Sequence, residues 1–193
     1  MKQLLITTIA VVVLVGCGPS ISIHKAAEEG NIEVVKQHLA AGTDVNEGDE
    51  DGDTPLIYAL EEGHKEVAKL LITKGADVNA KRDFAKTSPL HFAAAQDLKE
   101  IAALLIAKGA NVNARGEFQG WTPLMAAARR GKVDIAELLI ANGADVNAKN
   151  RIGSTPLGWA ENYPQKYPGI RAIFDKHGIK YGGKLKAFKA AGN

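Results

Sequence analysis

Thr54-Pro55-Leu56, Ser88-Pro89-Leu90, Thr122-Pro123-Leu124 and Thr155-Pro156-Leu157 recur along the chain, with their prolines 34, 34 and 33 residues apart. A second marker keeps the same period: Gly42, Gly75, Gly109 and Gly143 are 33, 34 and 34 apart. A third lies just beyond each glycine: Asp44-Val45-Asn46, Asp77-Val78-Asn79, Asn111-Val112-Asn113 and Asp145-Val146-Asn147. Three markers held to one spacing define a tandem repeat. A single unit of this size cannot bury its apolar face, so the units must stack.

Each unit reads as two helices and a loop. Thr54 is placed to cap a helix, with Pro55 at its first position, where a missing N–H costs nothing. That helix runs about two turns to Gly63, which can take the left-handed conformation that ends it. His64 to Lys74 reads as a second helix with Val67, Leu70 and Leu71 at i, i+3 and i+4, an apolar stripe on one face. Gly75 stops it, and Ala76-Asp77-Val78-Asn79 leads into the next loop with Val78 turned inward. The stripe returns as Ile101, Leu104 and Leu105, then as Ile135, Leu138 and Leu139.

The period and the phrase Ser88-Pro89-Leu90-His91-Phe92-Ala93 resemble the ankyrin repeat, over residues 21–181. The resemblance implies an all-α solenoid of about five helix pairs joined by β-hairpin-like loops. It also implies that His91 and His64 serve hydrogen bonding within the stack. Ile21 to Asn46 lacks the Thr-Pro start and reads as an N-terminal cap. The last unit stretches the Ala160–Gly178 interval to 18 residues, against 16 in the units before it. The insertion, Tyr163 to Gly169, carries two prolines that interrupt any helix. It suits either a terminal cap or a binding feature. Asp97-Leu98 stands where the family pattern has Gly-His. The turn there falls to a non-glycine residue, and Asp tolerates the left-handed region better than most.

Composition agrees with one folded domain. The chain is 46% hydrophobic and 24% charged, enough apolar material for a core. Its 24 basic and 22 acidic residues nearly balance, which provides no overall field to hold nucleic acid. Lys2 followed by the apolar stretch Leu4 to Val15 has the length of a secretory h-region and is too short to span a bilayer. It ends in Leu14-Val15-Gly16-Cys17, which resembles the lipobox of bacterial lipoproteins. The resemblance implies that residues 1–16 form a cleaved signal peptide and that Cys17, the chain's single cysteine, carries the lipid. Residues 17–20 then form a short tether. Two or more acyl chains anchor a protein stably where one does not. The absence of Asp at Gly18 directs the expectation to an outer membrane facing the periplasm in a Gram-negative source, or to the outer face of the plasma membrane otherwise. The basic tail, residues 182–193, reads as disordered.

Ankyrin stacks generally bind partners through hairpin tips and the exposed side of the first helix. Transferred to this chain, the resemblance implies a partner-binding strip of Glu61, Glu62, Phe84, Phe118, Trp121, Arg129, Arg130, Arg151 and Tyr163. The strip begins acidic, turns aromatic and ends basic. Large aromatics are enriched at interface hot spots. Phe84, Phe118 and Trp121 lie on hairpins expected to be wet, where each ring either meets a partner or folds down on its neighbour. The expected partner is another envelope or exported protein, with the chain acting as a monomeric interaction module. An inhibitor or immunity-type role against an exported toxin or enzyme is the alternative, and an enzyme or cofactor carrier is a remoter one.

No motif for catalysis stands against that reading. Gly-x-Ser-x-Gly, Gly-x-x-x-x-Gly-Lys-Ser/Thr and His-Glu-x-x-His are all missing from the sequence, and so is any histidine pair with metal-ligand spacing. No cofactor or metal is expected. The acidic run Glu47 to Asp53 evokes a calcium loop, but counting from Glu47 puts Tyr58 where the bidentate acid of an EF-hand belongs. A solvated acidic hairpin accounts for the run.

Overall fold

The computed structural model describes residues 20–82, 86–116, 119–162 and 168–178. Within them the chain forms ten helices in five antiparallel pairs: α1 (Ile23–Glu28) with α2 (Ile32–Ala40), α3 (Pro55–Glu61) with α4 (Lys65–Thr73), α5 (Pro89–Ala95) with α6 (Lys99–Ala107), α7 (Pro123–Arg130) with α8 (Val133–Ala141), and α9 (Pro156–Asn162) with α10 (Pro168–Lys176). The first helices stack in the order α1, α3, α5, α7, α9, and the second helices in the order α2, α4, α6, α8, α10. The solenoid read from the sequence is therefore the observed architecture. The first-helix layer packs more tightly than the second. Small residues permit this, because Ala26, Ala27, Ala59, Ala93, Ala94, Ala127 and Ala128 are all fully buried. Tighter packing on one layer curves the stack toward it, so the first helices line the inner face.

The local rules of the repeat hold with two exceptions. Thr122 Oγ1 accepts from Met125 N–H at 3.3 Å and Thr155 Oγ1 from Gly158 N–H at 3.1 Å, as N-caps should. Thr54 makes no such bond; its buried hydroxyl has no hydrogen-bond partner among the described residues. The second exception is Pro168, expected to interrupt a helix, which instead begins α10 at the position proline tolerates. Asp97 takes the left-handed turn that its repeat lacks a glycine to make, with φ of +63°.

The second-helix stripe keeps two of its three expected members buried in each unit (Val67 and Leu71, Ile101 and Leu105, Ile135 and Leu139) and loses the middle one to the edge of the core. Val67, Ala68, Leu71 and Ile72 are buried in α4, and Ile101, Ala102 and Leu105 in α6, whereas Leu70, Leu104 and Leu138 are only partly buried at the edge of the core. α4, α6 and α8 each pack against a second helix on both sides and against a first helix, so the residues at the centre of those contacts are more deeply enclosed than those at the core edge.

The Asp-Val-Asn marker proves to be a clamp between units. Asn46 Oδ1 accepts from Asp77 N–H at 2.7 Å, Asn79 Oδ1 from Asn111 N–H at 2.8 Å, and Asn113 Oδ1 from Asp145 N–H at 2.7 Å. The same asparagines donate Nδ2–H to the carbonyls of Gly75, Gly109 and Gly143. One amide side chain thus satisfies a helix-terminal carbonyl and a loop N–H of the next unit, which explains why the marker keeps the period. His64 supplies a further bridge, donating Nε2–H to the Glu28 carbonyl at 2.8 Å.

Candidate binding surface

Four loops join successive units, and a backbone hydrogen bond closes each: Asp49 N–H to Asp53 O, Arg82 N–H to Thr87 O, Gly116 N–H to Trp121 O and Asn150 N–H to Ser154 O. These rungs supply the hairpin-like character expected; none of the described residues forms a strand. In the acidic loop Asp49 is a structural organiser. Its Oδ1 accepts from the N–H groups of Asp51 and Asp53, and its Oδ2 accepts from the Tyr58 hydroxyl at 2.6 Å. These hydrogen bonds hold the Asp49 carboxyl below its usual range in spite of the opposing effect of burial, and they push the Tyr58 phenol up to about 12. Asn150 does the same in the last loop, accepting from Ile152 and Ser154 N–H. Among the described residues, no group of three or more His, Cys, Asp or Glu is arranged to hold a metal ion.

Aligning the units on their Thr/Ser-Pro starts puts Tyr58, Phe92, Ala126 and Trp159 at one helical position, all half-buried on the inner face. The sequence reading looked for aromatics on hairpins and missed these three. The signal was present as an aromatic four residues after the Thr or Ser in three of the four units. Arg82 was missed as well. Its guanidinium lies 5.3 Å from the Phe92 ring centroid, donates from Nε to Asp53 Oδ2 at 2.7 Å, and forks onto Glu61 at 2.8 and 2.6 Å. Burial pushes the Asp53 carboxyl up, more than Arg82 pulls it down. Glu61, more open to water, is held low by the same guanidinium. Glu61 is therefore engaged inside the stack and is not the open acid the sequence suggested.

Trp121 differs from expectation too. It stacks on Trp159 of the next unit, with centroids 4.8 Å apart and planes tilted by 37°, and its carbonyl accepts from His91 Nε2–H of the preceding unit at 3.0 Å. The ring packs between units instead of pointing away from them, so its truncation disturbs the stack as well as the surface. Arg129, exposed in the last turn of α7, lies 5.2 Å from the Trp121 centroid and 6.0 Å from that of Trp159. Arg130 and Glu62 are exposed as expected, and Arg151 links its loop to the preceding one through N–H to Gln119 O at 2.7 Å. Phe84, Phe118, Tyr163 and Cys17 lie outside the described residues. On the second-helix layer, Lys69 is exposed on α4, whereas Glu137 pairs with Lys176 and so ties α8 to α10.

Residues 23–116 match a family model described as ankyrin repeats (3 copies), and residues 119–151 match a single ankyrin repeat. Together the matches span more than half of the chain. The chain belongs to the ankyrin-repeat family. A search of curated proteins returned no match. The fifth unit of the ankyrin stack, α9 and α10, lies beyond both matched segments, where the loop between its helices is longer than in the units before it. Ankyrin repeats are protein–protein interaction modules and in general do no chemistry of their own.

His91 carries a pH dependence that the ankyrin stack makes testable. Its ring is buried, with Nδ1 paired to Ser88 Oγ at 2.8 Å and Nε2–H donated across the unit boundary. Burial holds its pKa below the ordinary 6.5, although the Trp121 carbonyl acts the other way. The folded state then binds the proton less well than the unfolded state. Stability is full above about pH 6.5 and falls as pH drops through that value toward the lower folded pKa. Urea midpoints between pH 7.5 and pH 5 should decline, and His91→Gln should flatten the upper part of that decline; an unchanged slope in the variant would assign it to other groups.

Proposed function

We propose that this chain is a lipid-anchored adaptor of a bacterial cell envelope, which presents the inner face of its ankyrin stack to another exported protein. The observation that carries the recognition half is the inner face itself, where Tyr58, Phe92, Trp121 and Trp159 are half-buried and exposed Arg129 lies over the last two. Half-buried aromatics next to arginine are the residue types that dominate binding energy at interfaces. The anchoring half rests on Leu14-Val15-Gly16-Cys17 following an apolar stretch. No helix among the described residues is long and apolar enough to cross a membrane, and the reading assigns membrane attachment to acyl chains on Cys17.

Two measurements test the two halves. Cys17→Ser should abolish incorporation of labelled fatty acid and move the protein to the soluble envelope fraction; retention in the membrane fraction would remove the anchor from the proposal. For recognition, the lipidated protein is cross-linked in intact cells. Ala95→Arg, which adds bulk in the middle of the inner face, should lose the cross-linked partner, and Lys69→Glu on α4 should keep it. The reverse pattern would move the docking surface to the second-helix layer.

A further inference from the structure

One pair of positions changes sign along the inner face. Glu28-Glu29, Glu61-Glu62, Ala95-Gln96 and Arg129-Arg130 each immediately precede the left-handed turn residue of their unit, Gly30, Gly63, Asp97 and Gly131. The wider charge follows the same gradient, since residues 20–63 carry eleven acidic and two basic side chains. Three of the four acids at the acidic end, Glu28, Glu29 and Glu61, are answered within the chain. Lys25 pairs with Glu28 at 3.0 Å and Glu29 at 3.6 Å, and Arg82 pairs with Glu61 at 2.6 Å. The basic end is not. Among the described residues no carboxylate pairs with Arg129 or Arg130. A second donor beside Arg129, the buried Trp159 Nε1, also has no hydrogen-bond partner among the described residues.

The molecule contains its own template for what such a cluster accepts. Arg82 lies over Phe92 as Arg129 lies over Trp121, at 5.3 and 5.2 Å from the ring centroids. Arg82 at the same time binds two carboxylates, so ring contact and carboxylate pairing coexist on one guanidinium. The cation–π contact holds the planar group in place and leaves its N–H donors for a bidentate acceptor. We propose that the Arg129 end of the inner face seats an acidic side chain of a partner polypeptide, with an adjacent apolar residue of that partner packed on Trp121 and Trp159. Arg130 adds a second positive charge at the rim. This rests on the reading of the inner face as the partner-binding surface, and it orients the partner: its acidic residue lies on the fourth and fifth units.

Both of the chain's tryptophans are at this site, so their emission reports on it directly. The probe is a short acetylated and amidated peptide of glutamates flanking one phenylalanine, titrated into the full chain. Its lysine counterpart and inorganic phosphate are the comparison probes. The glutamate peptide should change the emission saturably, and added salt should weaken it. Arg129→Gln combined with Arg130→Gln should weaken it on the order of tenfold while leaving the helical circular dichroism intact. The lysine peptide and phosphate should have no comparable effect. A response shared with the lysine peptide, a response unchanged in the double variant, equal affinity for phosphate, or no saturable response overturns the proposal. The cellular cross-link separates this failure from failure of the wider reading. A partner lost with Ala95→Arg but kept with the double arginine variant leaves the inner face as the binding surface and removes the acidic anchor.

Discussion

Truncating Leu105 to alanine is expected to lower the stability of the stack by about 2–5 kcal/mol, the range for a large-to-small change at a fully enclosed site. Leu105 is fully buried in α6, which packs on α4 and α8, so the cavity opens at two unit interfaces at once. In a solenoid, stability is close to a sum of unit and nearest-neighbour terms, and a central interface couples both halves. The urea transition of Leu105→Ala should therefore broaden as well as shift. Leu104→Ala is the control: Leu104 is only partly buried at the core edge, and its truncation should cost less than half as much. Equal costs would mean that the buried stripe has been assigned one residue out of register.

The second large effect is expected at Arg82. Arg82→Met keeps an apolar stem over Phe92 but leaves Asp53, a side chain only 7% exposed, without its cation. Breaking a buried pair strands a charge and is strongly destabilising; with Arg82 itself 22% exposed, water screens part of the loss, and about 2–3 kcal/mol is expected. Asp53→Asn in the same background should restore much of that loss, since it removes the stranded charge. The pH dependence has a definite sign. Burial already pushes the Asp53 carboxyl up, and losing Arg82 raises it further. A raised folded pKa makes the protonated state the stable one, so the deficit of Arg82→Met should narrow as pH falls through that pKa and be greatest above it. A deficit independent of pH and of Asp53→Asn would assign the effect to packing against Phe92 alone.

The surface was legible in outline and misread in detail, and particular residues explain why. Glu62 and Arg130 at one repeat position, and Arg129 at the position before it, are exposed as the pattern implied. Glu61, one residue from Glu62, is taken up by Arg82, 21 residues away. Trp121 meets Trp159 across a unit boundary. Tyr58 and Phe92 sit inside the first helices of their units, off the hairpins where aromatics were expected, and are half-buried there.

What the sequence determined by itself is whatever depends on neighbouring residues alone. The period, the two helices per unit, their starts at Thr or Ser before Pro, and the left-handed turn at Asp97 all follow from local backbone preference and hydrophobic spacing, which the chain carries wherever it folds. What only the tertiary structure decided is which side chains meet between units. The Arg82–Asp53–Glu61 network, the Trp121–Trp159 stack and the asparagine clamps depend on how far each unit is displaced and turned against the next, a geometry to which the small residues buried between the first helices contribute. No window of sequence contains that displacement, and it decides which charges are answered within the chain and which are left for a partner.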